Sequence, residues 1–152
     1  MEEECLRWET GLVIRVHVMV EGQTEETFVR DVLYDHLQHH GVFLNPILLR
    51  TSTQGRGGVV SYAKVRPQLI RQCRQDTTAT VTTMIDLYRL PGDFPGSQAC
   101  VDADHIAAAL AGHGYQKPFH GPLIAMDIGL EPMRERCPHF DAWLKRLEGL
   151  IP

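Results

Sequence analysis

The stretch LVIRVHVMVEGQTE, residues 12–25, joins an almost continuous apolar run to the start of a helix-forming segment. The β-branched run Leu12–Val20 is typical of a central strand that is covered on both faces of a sheet. A helix is predicted over Thr24–His40, with Thr24 as its N-terminal cap. Glu21 therefore lies where a buried strand turns into a helix.

Further segments repeat this alternation of strand and helix. A second strand is predicted over Val42–Leu49, a helix over Ser61–Arg74 and a third strand over Ala79–Ile85. This order predicts an α/β fold, with a mainly parallel central sheet flanked by helices. The remaining predictions are an N-terminal tail at 1–11, a single domain over 12–152, loops at 90–96 and 113–122, and closing helices at 123–128 and 138–150.

An acid follows the third predicted strand as Glu21 follows the first. This acid is Asp86, and the carboxyl ends of parallel strands meet at one edge of a sheet. Two carboxylates at that edge are the minimum that holds Mg²⁺ or Mn²⁺ together with substrate phosphate. We predict Glu21 as a metal ligand or general base, Asp86 as a metal ligand, and Glu25 as a hydrogen-bond partner of a water on the ion. The alternative is structural: backbone amides hold Glu21, and Asp86 caps a turn.

A run of six cations without any acid lies between positions 50 and 74, although the net charge of the chain is −4. Arginine forks match pairs of phosphate oxygens. The run therefore favours a phosphate-bearing partner such as nucleic acid. The alternative is a solvated helix face that pairs with acids elsewhere. The residues predicted to contact nucleic acid are Arg50, Arg56, Lys64, Arg71 and Arg74.

Three histidine positions have structural interpretations. His36 and His40 have the i, i+4 spacing that zinc sites use, but no Cys or Glu completes a ligand set in the sequence. We interpret them as incidental surface residues that favour the negative end of a helix dipole. His17 lies within the first strand and is predicted to be buried and hydrogen-bonded. In the last helix, the stripe of Phe140, Trp143 and Leu147 is predicted to be core.

The composition limits the location of the protein. No stretch reaches the roughly 18 apolar residues of a membrane span. The acidic N-terminus, Met1–Cys5, is neither a signal peptide nor a transit peptide. The four cysteines form no CxxC pair, which favours free buried thiols in a reducing compartment. We therefore expect a cytoplasmic protein.

Several motifs together resemble an uncharacterised bacterial family with a TOPRIM-like fold. They are Val20–Glu25, Gly57–Gly58, Thr82–Tyr88, Pro91–Gly96, His120–Ile124 and Cys137–Leu144. TOPRIM domains occur in topoisomerases, primases and OLD-type nucleases, where a Glu after the first strand and acids after a later strand hold magnesium for phosphodiester chemistry. The resemblance implies that Glu21 and Asp86 are those acids. It also implies a magnesium-dependent nuclease that works beside an ATPase partner.

The chain departs from the family pattern in two places. Tyr88 occupies the second position of the later acid pair, and Asp93 is the substitute ligand that the neighbouring sequence offers. A further acidic segment, which the family carries before its C-terminal motifs, is absent, so residues 96–120 form a shortened connection, either natural or produced by deletion. The competing hypothesis is a non-catalytic module that binds nucleic acid or a partner protein.

Overall fold

The computed structural model describes residues 13–51, 61–85 and 117–151, which fold around a three-stranded parallel sheet. The strands are β1 (Ile14–Val20), β2 (Val42–Leu48) and β3 (Thr80–Met84), in the order β2-β1-β3. The central position of β1 agrees with its apolar run, and the predicted α/β class with a parallel sheet is confirmed. Proline occurs in β2, on an edge, where the absence of a ladder donor is tolerated.

The segment after β1 is a continuous helical rod with a π-helical turn, which holds more residues per turn, in its middle. It consists of α1 (Gln23–Phe28), a π-helical turn (Val29–Leu33) and α2 (Tyr34–Gln38). The prediction of a helix in this region is confirmed, but the rod begins before Thr24. Thr24 therefore lies inside α1 and does not cap it, and the cap position makes no side-chain hydrogen bond.

Four more helices complete the described part of the chain: α3 (Tyr62–Gln75), α4 (Lys117–Ile128), α5 (Leu130–Arg136) and α6 (Pro138–Glu148). The predicted helices corresponding to α3 and α6 are confirmed. The loop predicted over 113–122 is wrong from residue 117 onward, because α4 accommodates Pro122 inside the helix. Gly129, with φ of 78°, separates α4 from α5, a helix that the sequence patterns did not predict.

The two faces of the sheet are covered by different helices. Val16, Val18 and Val20 point to one face and are fully buried against the helical rod and α6. On the other face, Met19 packs with Val65 of α3 and with Leu49, which follows β2. The molecule thus has three layers, with α3 on one side of the sheet and the rod and α6 on the other.

The apolar stripe of α6 confirms its predicted role in the core. Leu147 is buried, and Phe140 and Trp143 pack against the same cluster. Trp143 also donates a hydrogen bond from Nε1 to Oγ1 of Thr82 in β3, at 3.0 Å. Because this contact joins residues far apart in the chain, it fixes α6 against the edge strand as well as against the centre of the sheet.

Other predictions have mixed outcomes. Within the described ranges, no helix is both long enough and apolar enough to cross a bilayer. The cysteines in these ranges, Cys73 and Cys137, are free thiols as predicted, but they are exposed and not buried. The tail at 1–11, the loop at 90–96 and most of the connection at 96–120 lie outside the described residues.

Candidate functional site

The carboxyl edge of the sheet, where all three strands end, is the first candidate site. Val20 ends β1 and is in register with Leu48 of β2 and Met84 of β3. Beyond the strands, the amide N of Leu49 donates to the carbonyl O of Val20 at 2.8 Å. Glu21, half-buried, is therefore positioned directly at the line where the strands end.

The connections after β1 and β2 leave this edge on opposite faces of the sheet. The rod that follows β1 packs on one face of the sheet, and α3, which follows β2, packs on the other. In open α/β sheets ligands bind outside the carboxyl ends of the strands, and for a sheet that begins with the order 2-1-3 the favoured position lies between β1 and β3. Glu21 follows β1 and Arg50 follows β2 at this edge.

Glu25 lies at the same strand-to-helix junction as Glu21. It is in the first turn of α1, where a carboxylate favours the positive end of the helix dipole. Its Oε2 folds back over Gly22, since a methyl group built on Gly22 would stand 3.3 Å from it. The junction therefore carries two carboxylates, from Glu21 and Glu25.

Three of the predicted site residues, Asp86, Asp93 and Arg56, lie outside the described residues. The register of β3 still bears on Asp86, because Met84 is opposite Val20 and Asp86 follows Met84 by two positions. The carboxyl ends of β1 and β3 are thus neighbours, as the metal-site prediction requires. The role of Asp86 as a ligand stays a prediction.

The predicted cations divide between the two ends of α3. Near the carboxyl edge, Nζ of Lys64 donates to the carbonyl O of Thr51 at 3.1 Å. The side chain of Gln68 clamps the main chain of Arg50, accepting from its N at 2.9 Å and donating to its O at 3.0 Å. Farther along α3, a surface groove of about 440 Å³ is lined by Arg66, Pro67, Ile70, Arg71, Arg74 and Gln75.

At the amino edge of the sheet, His17 is buried and hydrogen-bonded, which confirms its predicted role. Its Nδ1 accepts from the amide of Asn45 at 3.0 Å, so its Nε2 carries the proton that is donated to Asp76, also at 3.0 Å. Arg15 donates to the same carboxylate at 3.1 Å. Hydrogen bonds from His17 and Thr78 lower the pKa of Asp76 to about 2.

A second polar cluster joins the end of the rod to the last helix, and the sequence did not predict it. His36 Nε2 is 2.7 Å from Oε1 of Glu148 in α6. Arg134 donates to both oxygens of Glu148, at 2.7 and 3.1 Å, and to Asp141 at 2.7 Å. Burial would raise the pKa of Glu148, but the hydrogen bonds from Arg134 and His36 outweigh it and lower that pKa.

The interpretation of His36 as an incidental surface residue is therefore wrong. Within the described ranges, His36, His40 and Glu148 are the one group of three His, Cys, Asp or Glu side chains whose geometry suits a metal ion. His36 and Glu148 are 112 positions apart. The i, i+4 spacing of the histidines was the available signal, but the third member of the group could come only from the fold.

Comparison with known proteins gives a family but no activity. A family model described as "Domain of unknown function (DUF4276)" matches the chain in two segments, residues 20–113 and 103–148. The matched segments include both the junction at Glu21 and the end of α6 at Glu148. No curated protein and no solved structure matches the chain.

Proposed function

The chain belongs to the DUF4276 family, and on that premise we propose that it is a TOPRIM-like, magnesium-dependent phosphodiesterase that acts on nucleic acid. The observation that carries the proposal is the convergence of the strand ends: β1 and β3 end side by side, with Glu21 directly after β1. Ligands of open α/β sheets bind outside the carboxyl ends of the strands, which is where Glu21 lies.

The donors at this edge fit magnesium in their chemistry. The junction presents the carboxylates of Glu21 and Glu25, and Mg²⁺ prefers hard oxygen ligands of this kind while keeping several waters. We assign Glu21, Asp86 and Asp93 as the residues that would hold the ion. When bound, magnesium supplies polarisation of a phosphoryl oxygen and neutralises its charge.

The side chains at the carboxyl edge have separate roles in the proposal. Glu21, if it does not ligate the ion, takes the proton of the attacking water as general base. Glu25 accepts a hydrogen bond from a neighbouring water and so orients it. Arg50 lies just after β2, and Lys64 lies in the first turn of α3. Both pair with phosphates of the nucleic-acid backbone and hold the substrate along the edge.

A cleavage assay tests the proposal. The full chain is incubated with single- and double-stranded DNA and RNA in the presence of Mg²⁺ or Mn²⁺. We expect metal-dependent cleavage that is lost in Glu21→Gln and in Asp86→Asn. Asp31→Asn is the matched control, because Asp31 is an exposed acid on the rod that pairs with the adjacent Arg30. Cleavage that persists in both Glu21→Gln and Asp86→Asn would contradict the proposed site.

A second candidate function is binding without turnover, and the groove on α3 favours it. Arg66, Arg71 and Arg74 line this groove and extend the basic surface away from Glu21 toward the amino edge. Such a surface binds a nucleic-acid backbone through counterion release, and its affinity falls steeply with salt. Replacement of Arg71 or Arg74 by Ala should reduce the salt slope by about 1 each if both contact phosphates.

Measurement of binding at increasing salt concentrations also tests the proposed ATPase partner. A protein partner that docks through packed surfaces binds with weak dependence on salt, unlike a phosphate backbone. Salt-insensitive binding of a purified ATPase to the wild-type chain, unchanged in Arg71→Ala and Arg74→Ala, would support a role as an interaction subunit. Salt-dependent binding of nucleic acid that weakens in Arg71→Ala and Arg74→Ala would instead assign the groove to nucleic acid.

A further inference from the structure

The cluster formed by His36, His40 and Glu148 has the composition of a transition-metal site. Its ligand atoms all lie within 4.8 Å of one another. The two imidazole rings have centroids 5.1 Å apart, which places them side by side at the C-terminal end of the rod. We propose that His36, His40 and Glu148 bind a zinc ion that joins the rod to α6, at the edge of the sheet opposite Glu21.

The ligand atoms need to move only a short distance to reach the geometry of a zinc site. Zinc bonds of about 2.0–2.1 Å place tetrahedral ligand atoms about 3.3 Å apart. His36 Nε2 and Glu148 Oε1 already approach to 2.7 Å, so the third ligand, from His40, makes most of the adjustment. All three side chains are partly exposed, and rotation of surface side chains covers this distance. Water occupies the fourth position, as in other sites with two His and one Glu.

Arg134 prepares Glu148 for this role. A carboxylate has about four lone-pair directions, and Arg134 uses one on each oxygen, so Oε1 retains a direction that now faces His36. The guanidinium is itself balanced by Asp141 at 2.7 Å. The hydrogen bonds keep Glu148 ionised and fix its orientation, which is how surrounding groups tune metal ligands.

The donor set distinguishes this site from the proposed magnesium site. Imidazole nitrogen suits zinc and related transition metals, whereas carboxylate oxygen and water suit magnesium. The His36 cluster therefore selects zinc in the presence of excess Mg²⁺. Its position also makes it independent of catalysis: the rod starts at the carboxyl edge beside Glu21 and ends near the amino edge, where Gly41 accepts a hydrogen bond from the amide of Ile14 at 3.1 Å.

Calorimetric titration of the metal-stripped full chain with ZnCl₂ in excess Mg²⁺ at neutral pH tests the proposal. We expect one saturable site in the wild type. His40→Ala removes a ligand. The affinity for zinc should therefore fall by more than the roughly 10- to 100-fold that follows loss of a residue that only hydrogen-bonds to a ligand. His39→Ala is the matched control, since His39 is an exposed histidine at the same helix end and lies outside the cluster. The Glu21→Gln variant should bind zinc like the wild type.

Two further variants keep the result decisive. Exposed thiols bind zinc, so Cys73→Ser/Cys137→Ser is titrated in parallel and should keep the wild-type affinity. Glu148→Gln, checked for folding by circular dichroism, should weaken binding as His40→Ala does. The proposal is overturned if the wild type shows no saturable zinc site, if His40→Ala binds as tightly as wild type, if His39→Ala loses as much, or if the thiol variant abolishes binding.

Discussion

The two edges of the central sheet use charged side chains in different ways. At the amino edge, charged groups tie elements together: Asp76 accepts from Arg15 and His17, and Glu148 accepts from Arg134. At the carboxyl edge, the side chains of Lys64 and Gln68 hydrogen-bond to main-chain groups of Thr51 and Arg50. The clamp by Gln68 engages the main chain of Arg50 and so leaves its guanidinium out of that contact.

Under the proposed function, this difference separates charges that stabilise the fold from charges that bind a ligand. Where an ion pair fixes a helix end, removal of one partner destabilises the fold, because the other charge is left without its partner. Where main-chain hydrogen bonds stabilise the fold, replacement of a charged side chain has less effect on stability. Its effect on function is then expected to be the larger one. The four predictions below test this contrast.

The largest expected effect is catalytic and belongs to the carboxyl edge. Glu21→Gln should lower the cleavage rate by about 10²- to 10⁴-fold if Glu21 acts as general base. Asp76→Asn, an equivalent change at the amino edge, should leave the rate unchanged at a temperature where the variant is folded. Single-turnover kinetics on both variants measure the ratio. Equal losses of cleavage rate in the two variants would contradict a catalytic role that is specific to the carboxyl edge.

The second effect concerns stability and belongs to the amino edge. Arg134→Ala should lower the free energy of unfolding by about 1–3 kcal/mol, because it removes charge-assisted hydrogen bonds to two partly buried carboxylates, Asp141 and Glu148. Arg136→Ala, an exposed arginine of the same helix, should change it by no more than about 0.5 kcal/mol. Urea unfolding curves give both values, and comparable losses would contradict the structural role of Arg134.

A smaller effect is expected for the clamp at the carboxyl edge. Gln68→Ala removes two side-chain hydrogen bonds to the main chain of Arg50, so we expect a loss of about 0.5–1.5 kcal/mol in the free energy of unfolding. Gln75→Ala, at the exposed end of the same helix, is the control and should be nearly neutral. If the clamp also positions Arg50, affinity for nucleic acid will fall in Gln68→Ala and not in the control.

The smallest effect is a pH dependence of stability at the amino edge. The folded-state pKa of Asp76 is about 2, below the ordinary value of 3.8. Its contribution to stability is therefore fully present above the ordinary pKa and is lost as pH falls through about 4 toward 2. Melting temperatures measured across this range should fall less steeply for Asp76→Asn than for the wild type. Identical slopes would show that Asp76 is not a source of acid sensitivity.

Local patterns in the sequence predicted most of the described fold. The β-branched runs predicted β1, β2 and β3, and Gly41, with φ of 71°, ends the segment after α2. The start of α4 was missed because its prolines indicated a loop, although Pro122 is buried within the helix. The order of the strands then supports the expectation that acids following β1 and β3 are neighbours.

The polar clusters show why the rest could not be predicted. His17 and Asp76 are 59 positions apart, and the partner of His36 comes from the opposite end of the chain. Neither pairing leaves a periodic or compositional trace, because packing of the helices against the sheet brings the residues together. The basic run illustrates a related point: α3 spreads its cations between the two edges, which the sequence alone did not show, and their contact with nucleic acid stays a prediction.

The π-helical turn affects the direction in which the buried side chains of the rod point around its axis. Val29, Leu33 and Leu37 are fully buried and occur at steps of four residues. In an α-helix with 3.6 residues per turn, each such step rotates a side chain about 40° past its predecessor, so a row of this kind winds off its support. The wider turn absorbs part of that drift. It keeps these three side chains directed at the sheet, where the rod packs mainly against β2, and thereby sets the direction from which His36 meets α6.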